Sequence, residues 1–215
     1  MTQSDPAFQH TRGLLFDLDG TLLDSYPVHL AAFCQSLSRL GYQLSEATFL
    51  ATYSPNWYST YAAISLPREL WETADAYWLE EAKKRTPVLF PGVREALIQL
   101  GTSFPLGIVT SGSRSRVARD LATNGIEALF QTVITGDDVH SPKPAPEGLE
   151  LALKALGTPR ETAVYIGDTQ LDYETAQGAG VQFVGIPSQF ASLSAATPCF
   201  QVAEFADLLR LFGIE

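Results

Sequence analysis

Five short apolar runs recur along the chain, each separated from the next by a stretch long enough for a helix. The first, Gly13 to Asp19, reads GLLFDLD and is halted by Gly20. It lacks the strict alternation of a half-exposed strand, which fits a strand covered on both faces. Runs of the same kind follow at Pro105 to Thr110 (PLGIVT), Gln131 to Thr135 (QTVIT), Ala163 to Gly167 (AVYIG) and Gln182 to Ile186 (QFVGI). Between them lie helical patterns. Pro91 to Leu100 places Val93, Leu97 and Leu100 on one face, with Pro91 in the first turn. Ser113 to Thr123 stops at Asn124-Gly125, Glu147 to Leu156 at Gly157, and Asp172 to Ala179 at Gly180, each glycine supplying the left-handed residue that ends a helix. Strand and helix alternating at this spacing predict a parallel sheet with helices on both faces, joined by right-handed crossovers.

Tyr26 to Pro87 breaks that rhythm. Val28 to Leu40, Ser45 to Tyr53 and Pro67 to Lys84 all have helical periodicity, and no strand pattern lies between them. The expected organisation is therefore an N-terminal tail at 1–12, a core made of 13–25 and 88–215, and an all-helical insert at 26–87. Glu204 to Leu211 (EFADLLRL) predicts a closing helix on the sheet.

Composition narrows the function. Hydrophobic residues make up 46% of the 215 positions and charged ones 18%, the profile of a folded globular chain. Twenty-four acidic against 14 basic residues give a net charge of −10, which repels nucleic acid and acidic membranes. No nucleic-acid or membrane partner is expected. An anionic substrate would need a cation supplied by the site itself. Cys34 and Cys199 lie far apart without a CxxC or neighbouring histidines, so neither a disulfide framework nor a zinc site follows. Met1 to Gly13 is polar, and no run of about 18 apolar residues occurs, so a cytoplasmic protein is expected. No sequence feature fixes an oligomeric state.

Ligands of open parallel sheets bind beyond the carboxyl ends of the strands. The residues expected there are Asp17 and Asp19, then Thr110 and Ser111, the loop carrying Lys143, and Asp168 with Asp172. Extended geometry would put Asp17 and Asp19 on one face, where two carboxylates repel unless a cation or a shared proton relieves them. Hard oxygen ligands beside a phosphate-sized anion suggest Mg²⁺, with Asp168 and Asp172 completing the cage. Taken alone, one such aspartate is an ordinary turn cap; a second pair in IGDTQLD at another strand end changes that balance. Ser111 stands where a strand meets a helix, an anion-binding position that is also an ordinary helix cap. Lys143 is one of four lysines, in SPKPAPEG.

Together these residues resemble the haloacid dehalogenase-like hydrolase superfamily. Its DxDGT motif stands as Asp17-Leu18-Asp19-Gly20-Thr21, its small-hydroxyl motif as Thr110-Ser111-Gly112, its lysine as Lys143, and its GDxxxD motif as Gly167-Asp168 through Asp172. The resemblance implies a Rossmann-like core with a helical cap, in the branch of phosphoglycolate phosphatase and beta-phosphoglucomutase. It implies Asp17 as nucleophile and Asp19 as general acid and base. It also implies phosphoryl contacts from Ser111 (or Thr110), the Gly112 N–H and Lys143. Mg²⁺ would be held by Asp17, the Asp19 carbonyl and Asp168, with Asp172 acting mainly through metal-bound water. The expected substrate is a small phosphate monoester.

Alternatives remain at this stage. His29, twelve residues after Asp17, has a spacing reminiscent of sugar-phosphate mutases, which would make it a cap contact to substrate; it reads equally as a partly buried helix histidine. Gly167-Asp168, where mutases usually carry an ED pair, departs from that pattern. A phospho-acceptor signalling domain shares strand-end aspartates, a hydroxyl, a lysine and Mg²⁺, but is shorter and has no insert. An NTPase would need a GxxxxGK[ST] loop, which the sequence lacks. The aromatic residues of 57–78 read as core of the insert.

Overall fold

The structure, a computed structural model, describes residues 5–53, 57–186, 188, 193, 197 and 199–214. The chain forms two compact units, one built from the segments up to Asp24 and from Val88 onward, the other from Ser25–Pro87. β1 (Gly13–Phe16) and the two-residue β2 (Leu23–Asp24) precede the insertion, which carries α1 (Tyr26–Arg39), α2 (Glu46–Thr52), α3 (Trp57–Ala63) and α4 (Trp71–Ala82). The first unit resumes with β3 (Val88–Leu89), α5 (Val93–Leu100), β4 (Leu106–Val109), α6 (Arg114–Thr123) and β5 (Thr132–Ile134). It continues through α7 (Glu147–Leu156), β6 (Ala163–Gly167), α8 (Gln170–Ala179), β7 (Gln182–Gly185), β8 (Phe200–Gln201) and α9 (Phe205–Leu211).

The main sheet has the order β5-β4-β1-β6-β7-β8, every pairing parallel, with β1 between β4 and β6. β1 shows why its sequence is apolar throughout: all four residues are buried, and their side chains serve opposite faces in turn. Leu14 and Phe16 join Leu97 of α5, Val117 and Leu121 of α6, and Leu208 of α9. Leu15 joins Leu149 and Ala152 of α7 and Ala176 of α8. Full burial of each such side chain contributes about 1.5–3 kcal/mol, which holds a helical layer on either face. The helices end as their glycines require, with Gly157 at φ +64 and Gly180 at φ +68.

Several elements differ from the sequence expectation. β2 and β3 pair antiparallel, Leu23 opposite Leu89, in strands too short to carry a periodic signal. β8 extends the edge through another two-residue strand. α8 begins at Gln170, ahead of the expected Asp172, because Thr169 caps it: the Thr169 hydroxyl accepts the Asp172 N–H, and the Asp172 carboxylate reaches back to the Thr169 N–H.

The inserted unit is helical among its described residues. α1 packs along α4, with the Ser36 hydroxyl donating to the Ala74 carbonyl at 2.8 Å. The interior is aromatic: Phe33 stacks on Trp57 and meets Tyr61 edge-on; nearer the surface, the exposed Tyr58 stacks on Trp71. α3 supplies Trp57 and Tyr61, a helix that no expected element covered. Among the described residues, no helix of either unit is long and apolar enough to cross a membrane.

Candidate active site

The carboxyl ends of β1, β4 and β6 lie side by side, so residues far apart in sequence meet beyond them. Asp17 follows β1 directly, its N–H donating to Ile166 of β6 at 2.8 Å. Asp168 follows β6, and Asp172 lies in the first turn of α8. The carboxylate oxygens of Asp17, Asp168 and Asp172 lie within 4.8 Å of one another, and all three residues are buried. Gly167 makes this possible, because a Cβ there would stand 2.7 Å from the Asp172 Cβ.

Lys143 enters this group with all three of its N–H donors engaged. Its Nζ lies 2.7 Å from Asp17 Oδ1, 2.7 Å from Asp172 Oδ1 and 2.6 Å from the Tyr165 hydroxyl. The Tyr165 hydroxyl in turn faces Asp172 Oδ1 at 2.9 Å and the Val109 carbonyl at 3.1 Å, either of which takes its single proton. Asp172 is held on its other oxygen by the Thr169 N–H and hydroxyl. Asp168 accepts from Thr21 at 3.1 Å and from Ser188.

Three buried carboxylates against one ammonium leave an excess of negative charge, and the titration of the groups reflects it. Burial pushes Asp17 up to about 7 despite the pull of Lys143, with Asp172 and Asp19 adding to the rise. Asp168 goes well above the ordinary carboxylate value through burial and the charges of Asp172 and Asp17. Burial also opposes ionisation of Asp172, but Lys143, Thr169 and Tyr165 outweigh it and hold this carboxyl below its ordinary value. For Lys143, burial works against the charge, and Asp17 with Asp172 more than restores it. An all-oxygen donor set with unbalanced negative charge suits a hard divalent cation.

Asp19 takes another direction. β1 ends at Phe16, and the chain turns at Gly20, where φ is +83. The two carboxylates take different partners: Asp17 meets Lys143, and Asp19 receives Nη1 and Nη2 of Arg116 at 3.0 and 2.5 Å. Arg116 also reaches Asp120 at 3.3 Å.

The loop after β4 carries the expected hydroxyls. The Thr110 hydroxyl is buried and accepts the Gly112 N–H at 3.2 Å, whereas Ser111 is exposed. α6 begins at Arg114 with Ser113 as its cap, so Ser111 stands two residues ahead of the cap position. The loop is clamped from the segment after β5. The Gly136 N–H donates to the Gly112 carbonyl at 2.9 Å, and Asp137 accepts the Arg114 N–H at 2.8 Å. Arg114 pairs with Asp138 through its side chain. His29 lies in the inserted unit, its ring among Tyr53, Trp57 and Trp78.

The structure thus gathers Asp17, Lys143, Asp168 and Asp172 at the ends of β1 and β6. It also brings in residues the sequence reading passed over. Tyr165 carried one signal, a hydroxyl at the middle of a fully buried strand that must find a partner. Thr21 stood in the DxDGT motif without a role of its own, while Thr169, Ser188, Arg116 and Asp120 carried no signal, being ordinary polar residues until the fold brings them to a carboxylate.

A family model described as haloacid dehalogenase-like hydrolase matches residues 14–186. The chain is 31% identical over 222 aligned positions to phosphoglycolate phosphatase of Yersinia pestis, covering 96% of this chain and 95% of that protein. It is 32% identical over 209 positions to pyrophosphatase PpaX of Bacillus velezensis, covering 94% and 96%. Among solved structures, a haloacid dehalogenase-like family hydrolase from Streptococcus pneumoniae superposes with a TM-score of 0.82 at 25% identity, covering 94% of this chain and 99% of that one.

Proposed function

The chain belongs to the haloacid dehalogenase-like hydrolase family, and on that premise we propose that it is a Mg²⁺-dependent phosphatase acting on a small phosphate monoester through an aspartyl phosphate on Asp17. The observation that carries this reading is that two carboxylates two residues apart pair with different cations. Asp17 sits against Lys143 in the buried carboxylate group, and Asp19 is held separately by Arg116. On this reading Asp17 is the carboxylate that becomes phosphorylated and Asp19 the one that moves protons.

In the first step an oxygen of Asp17 attacks phosphorus, the bond to the ester oxygen breaks, and Asp19 gives that oxygen its proton. In the second, water attacks the same phosphorus; Asp19 takes a proton from the water, inorganic phosphate leaves, and the Asp17 carboxylate is restored. Lys143 opposes part of the rise that burial imposes on Asp17 and offers positive charge to the phosphoryl oxygens. The N–H of Gly112 and the hydroxyl of Ser111 or Thr110 complete that cradle. Mg²⁺, held by Asp17, Asp168 and the Asp19 carbonyl, would supply the remaining positive charge on the phosphoryl group. Asp172, whose oxygens already accept from Lys143, Tyr165 and Thr169, fits a role beyond the direct ligands.

The relatives point to substrates of the phosphoglycolate and pyrophosphate kind, and the inserted helical unit, with His29, is proposed as the cap that selects among them. The test is phosphate release with and without Mg²⁺ across 2-phosphoglycolate, pyrophosphate, glycerol phosphates and hexose phosphates, with Asp17→Asn as control. Mg²⁺-dependent release that vanishes in the control is expected. Undiminished release by Asp17→Asn would remove the nucleophile, and interconversion of hexose phosphates without release would make the protein a mutase.

A further inference from the structure

We propose that Arg116 is a positioning residue for the reaction, a part-buried brace that fixes the carboxylate of Asp19 at the reacting centre. The inference rests on the acid and base role proposed above for Asp19. It starts from a contact between residues 97 apart in the chain: Arg116 offers Nη1 to Asp19 Oδ1 and Nη2 to Asp19 Oδ2. A planar fork on both oxygens of a carboxylate fixes its rotation as well as its place, which a single ammonium cannot do. The pair is sheltered, with the Arg116 side chain 15% and the Asp19 side chain 17% exposed.

The guanidinium is itself held from behind. Asp120, one helical turn on along α6, is fully buried, and its Oδ2 accepts from Arg116 Nη1. Its other oxygen takes Nε and Nη2 of Arg119 at 3.0 and 2.8 Å. A buried carboxylate is costly to desolvate and persists only when paired. The chain Asp19–Arg116–Asp120–Arg119 alternates in charge from Asp19 along one face of α6 to the partly exposed Arg119. A pair that served the helix alone would end at Arg116 and Asp120, at the i, i+4 spacing.

The sequence also leaves room for this brace. A Cβ on Gly112 would collide with the Arg116 guanidinium, so the guanidinium lies directly against the backbone of the loop proposed to cradle phosphate. One side chain thereby fixes the β4 loop and the proton-transfer group relative to each other. Misplacing a catalytic group by about 1 Å can cost about 10²-fold in rate, which is the loss expected when the brace is removed.

The experiment compares wild type with Arg116→Ala, Arg116→Lys and Asp120→Asn, using Mg²⁺-loaded protein, an alkyl phosphate from the panel, and p-nitrophenyl phosphate. Thermal melts check that each variant folds. Nitrophenolate leaves without needing a proton, so Arg116→Ala should still form the aspartyl phosphate and then hydrolyse it slowly. That appears as a burst of nitrophenolate equal to the enzyme present. On the alkyl ester, kcat should fall about 10²-fold with KM little changed. Arg116→Lys should stay impaired, Asp120→Asn should be impaired to a lesser degree, and added guanidinium should restore part of the Arg116→Ala rate. An unchanged kcat in Arg116→Ala, or a raised KM alone, would overturn the inference, the latter making Arg116 a substrate contact. Loss of rate with neither burst nor guanidinium rescue would make the residue merely structural. Absence of phosphate release by wild type, or retention of it by Asp17→Asn, marks failure of the underlying phosphatase reading instead.

Discussion

Replacing Lys143 by methionine removes the cation shared by Asp17 and Asp172 while keeping most of the side chain's apolar volume. Three hydrogen bonds vanish together, those to Asp17 and Asp172 at 2.7 Å each and that to Tyr165 at 2.6 Å. Removing one partner of a buried ion pair costs about 3–5 kcal/mol, because the survivor stays buried without compensation. Here the survivors have an escape, since a buried carboxylate that loses its cation takes up a proton instead. The loss should therefore depend on pH.

In wild type, burial disfavours the Lys143 charge but Asp17 and Asp172 more than restore it, so its folded value is raised. Its contribution is fully present below the unfolded lysine value of about 10.4 and does not fade between pH 5 and 8. Asp172 is depressed, so the stability it adds is present above the unfolded value of about 3.9 and fades only as pH falls through its folded value. In Lys143→Met both carboxylates gain protons at pH 5 and are forced toward ionisation at pH 8. The gap in stability should thus widen with pH, to about 3–5 kcal/mol at pH 8. For a chain of this length that is roughly 6–20 °C in Tm. The assay is calorimetric melting of both proteins in EDTA at pH 5, 6.5 and 8, repeated with Mg²⁺, which should recover part of the loss. Equal melting at pH 8, or a gap that widens toward pH 5, would refute the reasoning.

Asp17→Asn should abolish turnover yet stabilise the metal-free protein at high pH. Burial lifts the Asp17 value to about 7 against the pull of Lys143, so its contribution is present below about 3.9 and lost as pH rises through 7, on the order of 4 kcal/mol in all; melts in EDTA at pH 8 in which the variant is the less stable would contradict this. Chelation should stop phosphate release, and Mg²⁺ should raise Tm more at pH 8 than at pH 5, because protons compete for the same carboxylates; the comparison is a pair of melts at each pH. Gly136→Ala would set a Cβ 2.6 Å from the Ser111 carbonyl oxygen, a backbone atom with little freedom to yield. Phosphate release should fall about 10²-fold as the loop shifts, with a smaller change in Tm; an unaltered kcat would show that the clamp does not set the loop's position.

What could be read from the sequence was local in origin. β1 is visible because a strand buried on both faces needs four apolar residues in succession, and the ends of α7 and α8 are visible because left-handed residues call for glycine. Asp17, Asp168 and Asp172 could be picked out for a related reason, as carboxylates at or just past the ends of apolar runs, whereas Lys143 stood out only through the motif resemblance. The two-residue strands β2, β3 and β8 are too short for any period to register, and α8 shows its true start only once Thr169 is seen to cap it.

By itself, then, the sequence determined the order of the longer elements, α3 excepted, and a shortlist of charged groups, since both depend on interactions among near neighbours in the chain. Which groups meet was decided by the tertiary structure. The parallel registers that set Leu14 beside Leu106 and Val164 bring the ends of β1, β4 and β6 level, and a slip of one residue would turn every side chain to the opposite face. That alignment puts Lys143 on Asp17 across 126 residues and Arg116 on Asp19 across 97. It also gives different partners to two aspartates only two positions apart, Lys143 to Asp17 and Arg116 to Asp19, where the chain leaves its strand after Phe16 and turns at Gly20.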